Sequence, residues 1–201
     1  MSDPLGREIT ADYRIKAESA FIEMAKASGL ALLKKSELNV MKATSFGTGQ
    51  LIIDALDQGC KKIYLFIGGS ATNDGGMGIA TALGYQFLDK ENKLLEPAGE
   101  SLIKVSRIET NKVDRRLDQI SFCTICDVTN PFYGLQGAAY IYGAQKGASE
   151  NEIIFLNQGL CNFAEIIKNR YEIDLQKVNG SGAAGGVGGG ALVFLNGELI
   201  S

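Results

Sequence analysis

The chain has 201 residues, enough for one substantial hydrophobic core, and carries 20 basic and 23 acidic side chains for a formal charge of −3. Acids and bases are mixed without a basic stripe, which removes electrostatic support for nucleic-acid binding, and no apolar run approaches the about 18 residues of a membrane span. No signal peptide is visible at the start, so the expectation is a cytoplasmic protein with no nucleic-acid and no membrane partner.

In chain order, Met1 to Arg7 reads as a turn and Glu8 to Ile15 as a short strand with Ile9, Ala11, Tyr13 and Ile15 on one face. Glu18 to Ala25 suits a strand running into a helix, punctuated by Ser28-Gly29. Thr44 or Ser45 supplies an N-cap for a helix with the stripe Leu51, Ile52, Ala55 and Leu56, which Gly59 ends. Ile63 to Ile67 is a buried strand, followed by a glycine-rich joint and a small-residue helix from Met77 to Leu83. Tyr85 to Leu88 is another short strand and Asn92 to Gly99 a loop, whereas Ser101 to Ile108 fits neither pattern. Ile120 to Val128 is strongly strand-like, and Ala138 to Tyr142 is expected as a further strand. Ser149 caps a long helix reaching about Tyr171, with Ile153, Ile154, Leu156, Leu160, Phe163, Ile166 and Ile167 toward the core. Ser181 to Gly190 suits close helix packing or a phosphate-facing loop better than a flexible linker, because the apolar Ala191 to Leu195 follows. The alternation predicts an α/β fold, a mainly parallel sheet with helices on its faces.

In such sheets ligands bind beyond the carboxyl ends of the strands. Two polar joints fall there. The first, Gly68 to Gly76, combines glycines, short polar side chains and Asp74, and it precedes a helix N-terminus. It lacks both the G-x-G-x-x-G spacing of a dinucleotide site and the Gly-Lys-Ser/Thr of a Walker A loop. Asp74 can hold a metal or a proton, and a plain helix cap by Thr72 or Asn73 is the competing reading. The second joint, Asp127-Val128-Thr129-Asn130-Pro131, is either an Asx-type turn forced by Pro131 or a place for a polyol or a metal. Lys146 lies between glycines in Gln145-Lys146-Gly147, where an ammonium can neutralise phosphate. Hydroxyls at Thr44, Ser45 and Thr48 serve either capping or anion binding. The chain has four cysteines and no histidine, so acid–base work falls to Asp, Glu, Lys, Tyr or Cys. Cys123 and Cys126 have C-x-x-C spacing but sit in a β-branched run, where alternation points them apart; buried core thiols are expected there, not a metal or redox pair.

These stretches, in this order, resemble the bacterial glycerate kinase family. The matching segments are DPLGR at Asp3 to Arg7, Ile22 to Leu30, TSFGTGQL at Thr44 to Leu51, IGGSATNDGG at Ile67 to Gly76, Ala82 to Gly84, DVTNPFYG at Asp127 to Gly134, Gln145 to Ala148 and GAAGG at Gly182 to Gly186. Gln50 stands where the family usually has Glu, and Ala144 where it usually has Pro. The resemblance implies phosphorylation of D-glycerate to 2-phosphoglycerate with ATP and magnesium, on two α/β domains, a Rossmann-like one inserted into a flavodoxin-like one. Family members run to nearly twice this length, and their DSFKG-, DGGEGT- and TGEG-like segments are not found here. The expectation is therefore the central portion of such a protein. Residues 1–40 are a flank of the interrupted domain or the start of the inserted one, 41–190 the Rossmann-like domain, and 191–201 the start of the return to the second domain. As an isolated piece it is expected to be inactive or nearly so. The alternative is an inactive binding module for a small sugar acid or phosphorylated ligand, and association as a homodimer stays open. By the same resemblance, Gly68, Gly69, Ser70, Thr72, Asn73 and Asn130 are expected to bind substrate, and Thr48, Gly75 and Gly76 phosphate. Asp74 and Asp127 would be magnesium ligand and hydroxyl-orienting base, in either order, and Lys146 would balance phosphate charge.

Overall fold

Apolar side chains fill both faces of the central strands, yet only one face is covered. The computed structural model describes residues 1–200. Five strands form one sheet in the order β1 (Arg14–Lys16), β2 (Ser19–Glu23), β3 (Lys62–Phe66), β6 (Ser121–Ile125) and β7 (Glu198–Ile200). Only the β1–β2 pairing is antiparallel. A separate antiparallel pair joins β4 (Gln86–Leu88) to β5 (Arg107–Glu109). Ala20, Ile22, Ile63 and Leu65 are fully buried, and they alternate with the half-buried Phe21 and Tyr64 and the exposed Phe66.

The covering layer holds α2 (Phe46–Asp57), α3 (Met77–Ala82) and α6 (Ala183–Phe194). Leu51, Ile52 and Ala55 of α2 join Val187 and Ala191 of α6 beneath the sheet. Beyond it lies a second core around Phe87, Leu102, Phe132 and Phe163, closed by α4 (Ala138–Tyr142) and α5 (Glu150–Tyr171). Helices α3 and α6 serve both cores, since Ile79 and Val187 face one and Met77 and Phe194 the other. The glycines of α6 allow this close stacking: Gly190 lies against Gly75 and Gly76, and Gly189 against the Phe132 ring. The short α1 (Ala25–Ser28) follows β2 directly.

Strands β3 and β6 are interior, as their apolar runs predict. Ser149 and Glu152 form a capping box at the start of α5. Four expectations need correction. Among the described residues the helices lie on one face of the sheet rather than both. Ala138 to Tyr142 is helical, with Ala138, Ala139 and Gly143 buried at helical spacing and no strand to pair with. The strand expected over Glu8 to Ile15 forms only at Arg14–Lys16, where Arg14 finds Phe21 as a partner. Ile154 is 46% exposed, because two residues' separation puts it about 200° around α5 from buried Leu156. Cys123 is buried in β6, whereas Cys126 lies just past its end, and both thiols are free. The sheet draws strands from all three sequence segments, 1–40, 41–190 and 191–201. No helix among the described residues is long and apolar enough to cross a membrane.

Candidate functional site

A crevice of about 200 Å³ opens at the carboxyl ends of β3 and β6. Gly68, Gly69 and Ser70 line it after β3, and Cys126, Asp127 and Val128 after β6. Tyr142 and Lys146 come from the end of α4 and the turn behind it, and Ala183 and Ala184 from the start of α6. The two polar joints thus converge because their parent strands are hydrogen-bonded neighbours.

Lys146 is only 2% exposed. Its Nζ donates to Ser70 Oγ at 2.9 Å and to the Thr72 carbonyl at 2.6 Å. Burial pulls its pKa down to about 7, against the upward pull of Asp74. No anion among the described residues contacts this ammonium, whose protein partners are a hydroxyl and a carbonyl. The amides of Gly68 and Gly69 donate to no other group among the described residues. Asp127 is exposed at the rim.

The wall formed by α6 is conformationally unusual. Ala184, Gly185 and Gly186 adopt consecutive left-handed conformations, with φ of 53°, 70° and 92°. The Gly75 amide donates to the Gly185 carbonyl at 3.0 Å, and a Cβ at Gly185 would collide with the Thr72 carbonyl oxygen. The carbonyl that holds Lys146 is therefore pinned from behind by a residue that must lack a side chain. Thr72 Oγ1 and Asn73 Nδ2 are buried in this region without a hydrogen-bond partner among the described residues.

Asp74 is placed differently from the sequence expectation. It is fully buried and does not line the crevice. Its Oδ2 accepts from Ser45 N and Ser45 Oγ, both at 2.7 Å, and from Gly78 N at 3.2 Å, while Oδ1 accepts from Gly76 N at 3.1 Å. Burial pushes its pKa up, and these donors pull it back. The carboxylate thus ties the N-terminus of α2 to the glycine joint and the start of α3.

The structure brings Gly68, Gly69, Ser70, Asp127 and Lys146 to the crevice. Thr72 touches Lys146 through its carbonyl only, and Asn73 is buried behind it. Thr48 is buried and shares a hydrogen bond with Ser28 Oγ at 2.8 Å. The Gly75 and Gly76 amides are spent on Gly185 O and Asp74 Oδ1. Asn130 holds the Gln136 carbonyl at 2.9 Å and accepts from Tyr142 OH at 2.7 Å, so it reaches the crevice through Tyr142. Sequence reasoning missed Tyr142 and Ala184. Helical spacing would have exposed the first, and no local signal marks the second.

The whole chain, residues 1–201, matches the family model described as the glycerate kinase family. The chain belongs to the glycerate kinase family. It is 44% identical over 199 residues to a glycerate kinase of Halalkalibacterium halodurans, covering 98% of this chain and 52% of the relative. It is 43% identical to a glycerate 2-kinase of Escherichia coli K12, covering 100% and 53%. A crystal structure from Salmonella typhimurium LT2, provisionally assigned as a glycerate kinase 2, superposes with a TM-score of 0.96 at 39% identity, covering 99% of this chain and 54% of that one. The chain spans about half the length of the curated relatives it matches.

Proposed function

We propose that this chain carries the substrate-acid site of a kinase that transfers the terminal phosphoryl group of ATP to D-glycerate, giving 2-phosphoglycerate. The observation that carries the reading is Lys146, a buried ammonium hydrogen-bonded to no anion, which lines a crevice the size of a small acid together with Gly68 and Gly69, whose amides have no partner among the described residues. A carboxylate or phosphate set there accepts hydrogen bonds from Gly68 N and Gly69 N and raises the charge state of Lys146. Ser70 Oγ, already held by Lys146, orients a neighbouring hydroxyl. Asp127 is the one aspartate lining the crevice, and it suits either of two tasks: taking the proton of the attacking hydroxyl or holding a divalent cation.

Magnesium is commonly bound through one or two carboxylates together with substrate phosphates, so Asp127 fits as a single protein ligand and the cation would offset phosphate charge. Asp74 does not fit as a ligand, because all four of its contacts are internal donors. In this reading Asp74 positions the glycine joint, and Thr48, Gly75 and Gly76 shape the loop without touching phosphate. Ligand pockets for larger organic molecules run from roughly 300 to 1,000 Å³. At about 200 Å³ the crevice admits glycerate but not ATP as well, so the nucleotide requires further surface. A full-length protein of two α/β domains, Rossmann-like and flavodoxin-like, would provide it.

The small crevice also favours a second reading, a binding module for a small acid that does not itself catalyse transfer. Calorimetric titration with D-glycerate, beside an ATP-dependent phosphorylation assay of this chain and of a full-length relative, separates the two. The expected outcome is weak glycerate binding that Lys146→Met removes, with phosphorylation far below the relative. Glycerate binding that survives Lys146→Met would sink the assignment of the site.

A further inference from the structure

We infer that Ser70 and Lys146 form a nucleophile–base pair that takes up a short acyl group from a carboxylic ester and releases it to water, an activity separate from phosphoryl transfer. Such chemistry needs a nucleophile within hydrogen-bond reach of a base that a third group orients. Lys146 Nζ stands 2.9 Å from Ser70 Oγ and 2.6 Å from the Thr72 carbonyl oxygen. When the amine is neutral, its lone pair accepts the Ser70 O–H along the first line, and one of its own N–H groups still donates along the second. The Thr72 carbonyl is then the orienting group, and Gly185 packs directly behind it. Both side chains are almost fully buried, yet both residues line the crevice at the carboxyl ends of β3 and β6. The chain has no histidine, and among the described residues Lys146 is the one lysine lining this crevice. Burial pulls its pKa down to about 7, so about half of the molecules hold the neutral amine at pH 7.

The backbone around the serine supplies a second, independent feature. The amides of Gly68, Gly69 and Ser70 have no hydrogen-bond acceptor among the described residues. The Gly69 carbonyl and the Ala71 amide are tied to Leu30 N and Ser28 O, both at 2.9 Å, which fixes Ser70 between them while its own N–H stays free. Unpaired amides beside a nucleophile are the donors that stabilise a tetrahedral oxyanion. Neutral Lys146 takes the proton of Ser70 Oγ as that oxygen bonds to the ester carbonyl carbon, and the π-electron pair moves onto the carbonyl oxygen. Collapse of this oxyanion breaks the bond to the leaving alkoxide, which takes the proton from Lys146 and departs as the alcohol. Water then attacks the Ser70 ester, and its proton passes through Lys146 to Ser70 Oγ as the carboxylic acid leaves. No redox change occurs. At about 200 Å³ the crevice admits an acetyl-sized acyl group, with the leaving group toward solvent.

The inference shares the crevice with the kinase reading but needs neither ATP nor glycerate. The probe is p-nitrophenyl acetate, followed by p-nitrophenolate release and by peptide mass spectrometry of acid-quenched chain. The expected result is release above background, with an acetyl group on Ser70. Ser70→Ala should abolish that label, and Lys146→Met should slow release about 100-fold or more. Lys104→Met, at an exposed lysine, should leave the rate unchanged. Circular dichroism checks the fold of each variant, and Ser70→Cys, which keeps the side chain's shape, should carry the acetyl group on sulfur. After subtraction of the hydroxide-driven background, the rate should rise about tenfold from pH 6 to 8, because the neutral amine is the base. Glycerate binding, which needs the ammonium, changes in the opposite direction. Burial pushes the Cys126 thiol and the Tyr142 phenol upward, away from that window. Loss of the profile in Lys146→Met assigns it to the lysine rather than to Asp127 in the lining or Asp74 behind it. Release that survives Ser70→Ala, or an acetyl group found on Lys146 instead, overturns the inference. A chain that binds glycerate but releases no p-nitrophenolate above background removes only this inference, whereas ester cleavage without glycerate binding counts only against the kinase reading.

Discussion

Replacing Asp74 tests whether its carboxylate is structural. Four donors converge on it in a fully buried site: Ser45 N, Ser45 Oγ, Gly76 N and Gly78 N. Asn at this position keeps one acceptor oxygen. Set where Oδ2 stands, that oxygen still serves three donors, but the new NH2 then faces the Gly76 amide, donor against donor. An unpaired buried donor costs about 1–3 kcal/mol, and hydrogen bonds to a charged acceptor exceed neutral ones by roughly 1 kcal/mol. Relief of the carboxylate's desolvation offsets part of this, leaving Asp74→Asn destabilised by about 2–3 kcal/mol. For a chain of this length that is a fall in Tm of about 4–12 °C. Asp74→Ala strands all four donors and should lose about 4–5 kcal/mol, most of the stability of a marginal domain. Urea and thermal melts of the isolated chain followed by circular dichroism suffice, since no activity is needed. Ser45→Ala combined with Asp74→Asn should cost less than the sum of the two, because they share one network. An Asn variant melting within about 2 °C of wild type would refute the structural role and return Asp74 to the list of candidate ligands.

Lys146 gives a pH dependence of definite sign. Its pKa in the folded chain is about 7 against an ordinary 10.5, so the unfolded chain binds more protons between those values. Stability should therefore rise with pH across that window, and Lys146→Met should remove the slope in melts taken from pH 7 to 10. Anion binding needs the protonated form, so D-glycerate affinity should weaken about fivefold from pH 7 to 8, with proton uptake detected by calorimetry in buffers of different ionisation enthalpy; flat affinity would exclude Lys146 from the anion site. Gly185→Ala must fit a Cβ against the Thr72 carbonyl at a φ of 70° and should cost about 3 kcal/mol or more in urea melts. Ala184→Gly, at a φ of 53°, relieves a left-handed strain of about 1–2 kcal/mol and loses about 0.4–1 to chain entropy, so it should be neutral or stabilising by up to about 1.6 kcal/mol in the same urea melts.

Features that were legible in the sequence are those decided within one element. Strands β3 and β6 declare themselves through continuous apolar runs, and α5 through Ser149 and Glu152, three residues apart. Ala138 to Tyr142 defeated the same approach because five residues span less than two turns and alternate just enough to pass for a strand. The site was half legible for a related reason. A carboxylate in a glycine joint reads alike whether it points out to a ligand or in to a neighbour. What decides for Asp74 is Ser45, 29 positions earlier. Lys146 likewise owes its burial to Ser70, 76 positions away.

The uncovered sheet face was hidden by the same ambiguity, and the ambiguity is itself informative. Period-two alternation marks a strand with one wet face, yet β3 reads as apolar throughout, with Tyr64 and Phe66 between Ile63, Leu65 and Ile67. A strand that remained open to water on that side would be expected to carry polar residues at 64 and 66, as β1 does on the same face of the sheet with Arg14 and Lys16. The composition of β3 suits two covers, and the chain supplies one. Adding a charge at Phe66 therefore distinguishes the cases simply: it should leave the isolated chain's melting temperature almost unmoved, and it should be costly only where a second layer is present to be displaced.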